Sequence, residues 1–199
     1  MLLIDFVRHG ETDWPGYLLG RTDRPLSQEG WHQFERQTVG RDWSVVVSSP
    51  LRRARDPAKK LARQRGLDIA IDPDWSELDF GAWDGQPIAD LTTDPAVTDA
   101  LAEFYRSADA PGPPNGESWH ALQVRTSRAL GRLLQRKDAQ TALVVAHAGP
   151  IRAVLSLACA IPFQSVWALK IDYGARVTLR VEANEQAQIW GEIVEIVQA

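Results

Sequence analysis

The chain has 199 residues, 44% of them hydrophobic, which suits one globular domain with a sizeable core and argues against two independent domains. A formal net charge of -4 gives no general attraction to nucleic acid or to an anionic membrane, so any anion site has to be a local concentration of charge. Cys159 is the single cysteine, which excludes an internal disulfide; in the apolar run Leu155 to Cys159 it reads as a buried, inert thiol. No apolar run approaches the roughly 20 residues of a membrane span, and MLLIDFVRHG has no basic leader, so a soluble cytoplasmic protein is expected.

In chain order, Leu2 to Val7 is an apolar run broken only by Asp5, the pattern of a strand buried on both faces. Ser27 is positioned to cap a helix running toward Val39. Trp43 to Ser48 reads as a second buried strand, Leu51 to Arg65 as a helix with a basic face, and Leu67 to Ile71 as a third short strand. Periodicity then weakens and Asp, Pro and Gly accumulate; residues 84–118 read as an insertion or lid, with helix around Val97 to Arg106. Ser118 to Arg136 reads as a helix by the spacing of Leu122, Val124, Ala129, Leu130, Leu133 and Leu134. Thr141 to Ala146 is a fourth buried strand, Pro150 to Ala158 a helix directly behind it, and the segment from Val166 two or three further strands. Alternating strands and helices predict a single α/β domain over residues 1–199, a three-layer α/β/α sandwich with a mainly parallel central sheet. Its ligand site should lie at the carboxyl ends of the strands.

Two of those ends carry a histidine beside a glycine: Arg8-His9-Gly10 and His147-Ala148-Gly149. One such histidine is most simply a polar residue meeting solvent. Two of them, each with a glycine for close backbone approach and a helix start at hand, point to an anion site if their strands are neighbours. Ser48 to Arg55 adds several guanidiniums after a third strand end, of which neighbouring ones cannot all point inward. Glu77 follows the third strand and supplies a carboxylate. Two imidazoles, at least two guanidiniums and an acid are the equipment for phosphoryl transfer through a covalent histidine.

FVRHGET, SSPLRRA, SELDFGAWDG, PNGES and VVAHAGPIR, in this order, resemble the histidine phosphatase superfamily, also called phosphoglycerate mutase-like. The resemblance implies His9 as the nucleophile and Glu77 as the proton donor. It implies Arg8, Arg53 and His147 as binders of the phosphoryl oxygens, with Gly20, Arg21 and Ala148 as further substrate contacts. No metal and no cofactor are implied. The chain departs from the family pattern at Trp14-Pro15, where an Asn is common, and at Pro57, where a Thr is common.

The stretch LDFGAWDG after Glu77 resembles the phosphatases of the family more than the mutases. LGRTDRPLSQEG, PPNGES and the tail ALACAIPFQSVWALKIDYGA resemble α-ribazole phosphatases. The expectation is therefore a phosphomonoesterase acting on a small-molecule ester, α-ribazole 5'-phosphate of cobalamin biosynthesis first. A broad-specificity sugar or nucleotide phosphatase, a phosphoglycerate mutase and a phosphate-dependent binding protein stand as alternatives. No nucleic acid or membrane partner is expected, and a homodimer is compatible with the sequence. Trp14, Tyr17, Trp83, Tyr105 and Trp119 are candidates for stacking on a planar base, although tryptophan is as readily a core residue.

Overall fold

The structure is a computed structural model that describes residues 1–186 and 188–199. Its centre is a six-stranded sheet in the order β3-β2-β4-β1-β5-β6, formed by β1 (Leu2–Arg8), β2 (Val45–Ser48), β3 (Ile69–Ile71), β4 (Thr141–Ala146), β5 (Arg176–Ala183) and β6 (Ile189–Val197). The first four strands pair in parallel, whereas β5 runs against β1 and β6 against β5. Strands flanked on both faces must be apolar on both, which is why LVVA in β4 and VVV in β2 are unbroken runs.

Each face has its own core. Ile4, Phe6, Val47, Val144 and Leu179 point toward α5 (Trp119–Leu134) and α6 (Ala148–Cys159), where Leu122, Leu130, Ile151 and Leu155 meet them. Val7, Val46, Leu143 and Val145 point the other way, onto α1 (Gln28–Thr38) and α2 (Arg52–Arg65) through Phe34, Ala54, Ala58 and Leu61. At about 1.5–3 kcal/mol for each large side chain buried, these two layers dominate the stabilisation. Helix ends follow local chemistry. Ser27 caps α1 by accepting from the Gly30 N–H at 3.0 Å, Ser118 caps α5 through Ala121, and Gly66 ends α2 in the left-handed region at φ 64°.

The sequence expectations need small corrections. Val166 to Ala168 is not strand but part of a short helix, α7 (Phe163–Ala168 in full), which follows α3 (Ile88–Leu91) and α4 (Pro95–Arg106) in the numbering. Pro57 lies in the second turn of α2, where the Arg53 carbonyl loses its ordinary i+4 donor. Cys159 is half-buried, and burial raises its thiol pKa. Among the described residues no helix is long and apolar enough to cross a membrane.

Candidate active site

β1 and β4 are direct neighbours, with Arg8 opposite Ala146, so His9 and His147 emerge side by side. The His9 N–H donates to the Ala146 carbonyl at 3.0 Å, and the two imidazole rings stand edge to face with centroids 5.0 Å apart. Gly10 proves necessary for a reason other than ligand access: a Cβ there would strike the backbone of Gly30, where the chain passes over the start of α1. Gly149, in contrast, acts inside the site, since a Cβ on it would collide with Glu77 Oε1.

Hydrogen bonds fix the His9 tautomer. Nδ1 lies 2.7 Å from the Gly10 carbonyl, which only accepts, so Nδ1 carries the proton and Nε2 keeps its lone pair. Arg53 Nε donates toward that lone pair at 3.3 Å. Burial, then the Arg53 and Arg8 guanidiniums, hold the His9 pKa well below its ordinary value, so the ring is neutral at neutral pH. His147 is depressed in the same way, by burial and then by Arg53, His9, Arg125 and Arg8. Its Nε2 is 2.7 Å from Ser49 Oγ, which already accepts from the Leu51 N–H and is free to donate. Its Nδ1 is buried and has no protein partner.

Arg8 donates from Nη1 to the Ile171 carbonyl at 2.7 Å and stacks 4.0 Å from the Tyr173 ring, leaving Nε buried and unpartnered. Arg53 is fully buried beside His9 and is held by the carbonyls of Leu19, Gly20 and Thr22. The 20–22 turn is thus drawn toward the start of α2, and the Asp84 carboxylate clamps the same turn through the Gly20 and Thr22 N–H groups. Gly20 therefore serves as a ligand of Arg53, and Arg21 points to Asp79, 3.9 Å away; neither lines the cavity. Ala148 does line it.

Glu77 enters from the loop after β3. Its Oε1 accepts from its neighbour Leu78 and from Gly149 at the start of α6, at 2.8 and 3.0 Å, which leaves Oε2 to face outward. The loop is anchored by Arg125 of α5, whose guanidinium gathers the carbonyls of Asp74, Ser76 and Glu77 and pairs with Glu117. Glu117, the acid of PNGES, also accepts from the Asp79 N–H at 3.0 Å. That motif thus holds the acid-bearing loop and has no contact with the cavity of its own.

Arg8, His9, Glu77, Tyr105, Arg152 and Tyr173 line a cavity of about 220 Å³, with Tyr17 and Ile88 also on its wall. A roomier hollow of about 540 Å³, at the β3 edge beside Arg132 and Arg136, contains no histidine and lies apart from this chemistry. Of the aromatic candidates, Tyr17 and Tyr105 reach the cavity, whereas Trp83 and Trp119 are core. Trp14 stacks on Tyr17 and under Arg24 instead. Burial pushes the Tyr105 phenol up to about 12, with Glu77 adding to the rise and Arg152 opposing it. Sequence reasoning missed Tyr173, Trp167 and Arg152 as wall residues and Ser49 and Arg125 as supports. Only Arg152 had a usable signal, its place one turn beyond His147. Among the described residues no three metal-binding side chains converge.

With this geometry in view, similarity to known proteins becomes informative. Residues 4–191 match the sequence profile of the histidine phosphatase superfamily (branch 1). An adenosylcobalamin/alpha-ribazole phosphatase of Salmonella typhimurium is 30% identical over 173 residues, covering 84% of this chain and 85% of that protein. A bifunctional protein of Mycobacterium tuberculosis is 35% identical over 159 residues, 76% of this chain, and the match spans only 43% of that relative's length. Among solved structures, a mycobacterial glucosyl-3-phosphoglycerate phosphatase superposes with a TM-score of 0.82 at 25% identity, covering 100% of this chain and 99% of the other. Sheet order, paired histidines and sequence profile agree: the chain belongs to the histidine phosphatase superfamily, branch 1.

Proposed function

We propose that the chain is a phosphomonoesterase that works through a phosphohistidine on His9. The observation that carries this reading is the His9 ring itself: its Nδ1 proton is tied to the Gly10 carbonyl, and its Nε2 lone pair sits among guanidiniums that attract a phosphoryl group. Nε2 attacks phosphorus and forms the N–P bond as the ester P–O bond breaks. Glu77, through its free Oε2, gives a proton to the departing alkoxide oxygen. Water then attacks the phosphohistidine while the Glu77 carboxylate takes its proton; the N–P bond breaks, orthophosphate leaves and neutral His9 returns. Arg8 and the Nδ1–H of His147 stabilise the equatorial oxygens. Arg53, fully enclosed, donates toward the Nε2 lone pair at rest, gives up that hydrogen bond as Nε2 attacks, and adds its charge beside the phosphoryl group.

Its first substrate is α-ribazole 5'-phosphate. This is supported by the names of the enterobacterial relatives at 29–30% identity and by the stretch LDFGAWDG after Glu77. The test is rapid quench with a ³²P-labelled ester followed by alkaline work-up, in which phosphohistidine survives. Label should appear on the wild-type chain and vanish with turnover in His9→Ala, and activity should persist in EDTA. Turnover unchanged by His9→Ala would refute the mechanism.

A further inference from the structure

Arg152 is the cavity-wall guanidinium that the phosphoryl chemistry above leaves without a task. It sits on the first turns of α6, beyond Gly149, and is braced from two sides: Nη2 donates to the Leu169 carbonyl at 3.0 Å, and the guanidinium carbon lies 4.7 Å from the Trp167 ring. Trp167 is itself wedged edge to face against Tyr105, with centroids 4.7 Å apart. Nε is buried and unpartnered, and Nη1 has no hydrogen-bond partner among the described residues. A guanidinium this firmly held on the wall of a ligand cavity is pre-organised to receive an acceptor.

Its location says which part of the substrate it meets. The leaving group departs on the side of phosphorus away from His9, next to the acid that protonates it. Arg152 feels the charge of Glu77 and lies near Tyr105, so it belongs to this leaving-group half of the cavity. An acidic leaving group reaching Arg152 would share the cavity with Glu77, where its charge opposes the carboxylate that forms as Glu77 gives up its proton. A neutral polyol meets no such repulsion, and the C–H faces of a sugar ring suit walls built from Tyr105, Trp167 and Tyr17. We infer that Arg152, braced on Trp167, is a leaving-group specificity residue that hydrogen-bonds a sugar hydroxyl, so that the cavity selects phosphate esters of neutral sugars. This rests on the phosphomonoesterase reading.

The experiment compares kcat/KM for ribose 5-phosphate, n-pentyl phosphate and 3-phosphoglycerate: a sugar ester, an apolar ester with as many carbons, and an acid ester. In the wild-type enzyme the sugar ester should be preferred over pentyl phosphate by about 10- to 100-fold, the worth of one or two charge-assisted hydrogen bonds. In Arg152→Met that ratio should fall toward one. A wild-type ratio near one, or a preference for 3-phosphoglycerate, overturns the inference without any variant having to fold. Equal losses on the sugar and pentyl esters in Arg152→Met overturn it too, because they would assign Arg152 to the phosphoryl group or to Glu77. Phosphate release that persists in His9→Ala breaks the phosphatase mechanism instead, a failure distinct from the loss of sugar preference.

Discussion

The sheet buries two ionic clusters, one in the middle of β1 and one at its carboxyl end, and they are built on opposite principles. In the first, Asp5 is almost wholly enclosed and saturated. Oδ1 accepts from Arg41 Nη2 and Thr178 at 3.1 and 2.6 Å, and Oδ2 from Arg41 Nε and Trp43 Nε1 at 2.8 and 2.9 Å. Arg176 adds its charge 3.6 Å from Oδ1 and is balanced by Glu195 at 2.7 Å. Arg176 Nε is buried without a partner. In the second cluster Arg8 and Arg152 line the cavity, where Glu77 is the one carboxylate among the described lining residues, and Arg53 lies beside His9 with Asp23 and Asp84 also contributing charge. Arg8 Nε, His147 Nδ1, Arg152 Nε and Trp167 Nε1 all lack partners there. A buried group of charges that closes on itself is architecture. One with surplus cation and idle donors is waiting for an anion.

The largest stability effect should come from breaking the closed cluster. Asp5→Ala leaves Trp43 Nε1 and Thr178 Oγ1 buried without their acceptor and Arg176 with only Glu195 to balance it, and should cost about 3–5 kcal/mol in urea unfolding. The kcat of the protein that remains folded should change little, because Asp5 faces α1 and α2 and lines no part of the catalytic cavity. A loss below about 1 kcal/mol would mean that Arg41 and Glu195 rearrange to cover the vacancy.

Glu77→Gln probes the open cluster, with a comparable effect read in rate. Gln retains an oxygen for the Leu78 and Gly149 N–H groups, so the fold should hold, but it has no proton to give the leaving group. The kcat for an alkyl phosphate should fall by about 10²–10³-fold, and for p-nitrophenyl phosphate, whose leaving group needs no acid, by much less. Equal losses on both would remove Glu77 from the acid role.

The contrast also explains what was legible in the sequence. His9, His147, Glu77 and the guanidinium of Arg53 stand at ends of elements, where apolar periodicity stops and a charged residue needs a reason. The sandwich was legible in the same way, from runs such as ALVVA that only a doubly covered strand tolerates. Arg125 escaped notice because it interrupts a helical face that otherwise reads as ordinary, and its partners, Glu117 and three loop carbonyls, are brought to it only by the fold. Tyr173 and Trp167 lie in a segment that read as strand, so nothing indicated that Tyr173 turns back over His9 and Arg8 or that Trp167 packs on Arg152. Gly20 and Arg21 were expected to touch substrate; loop sequence alone does not distinguish a residue that meets the ligand from one that holds Arg53 in place.

Acidification should separate the two clusters again. His9 and His147 are buried neutral, with folded pKa values below the unfolded value of about 6.5. Above that value neither histidine binds a proton in either state, and neither makes stability depend on pH. As pH falls below it, the unfolded chain takes up protons that the native state refuses. Each histidine then removes about 1.4 kcal/mol of stability per pH unit until its folded pKa is reached. His9→Asn should flatten the dependence of unfolding free energy on pH by that amount between about pH 6.5 and 5.5. An unaltered slope would show that His9 is protonated in the folded protein.

The smallest effect is expected where charge is plentiful but wet. Arg132, half exposed on α5, contacts Asp72 at 2.8 Å and Asp74 at 2.7 Å. Its hydrogen bonds raise its own pKa, and with Arg128 it draws that of Asp74 down. On geometry alone this group resembles Asp5 and its arginines. The difference is solvent: water screens the attraction and solvates either partner once the other is removed, so no charge is stranded. Arg132→Ala should therefore cost less than about 1 kcal/mol at low salt, and less again in 0.5 M NaCl, while Asp5→Ala should be nearly indifferent to salt. If Arg132→Ala cost as much as Asp5→Ala, enclosure would not be what makes the Asp5 cluster architectural. The same argument for the surplus charge at His9 would then weaken with it, since both depend on water being kept out.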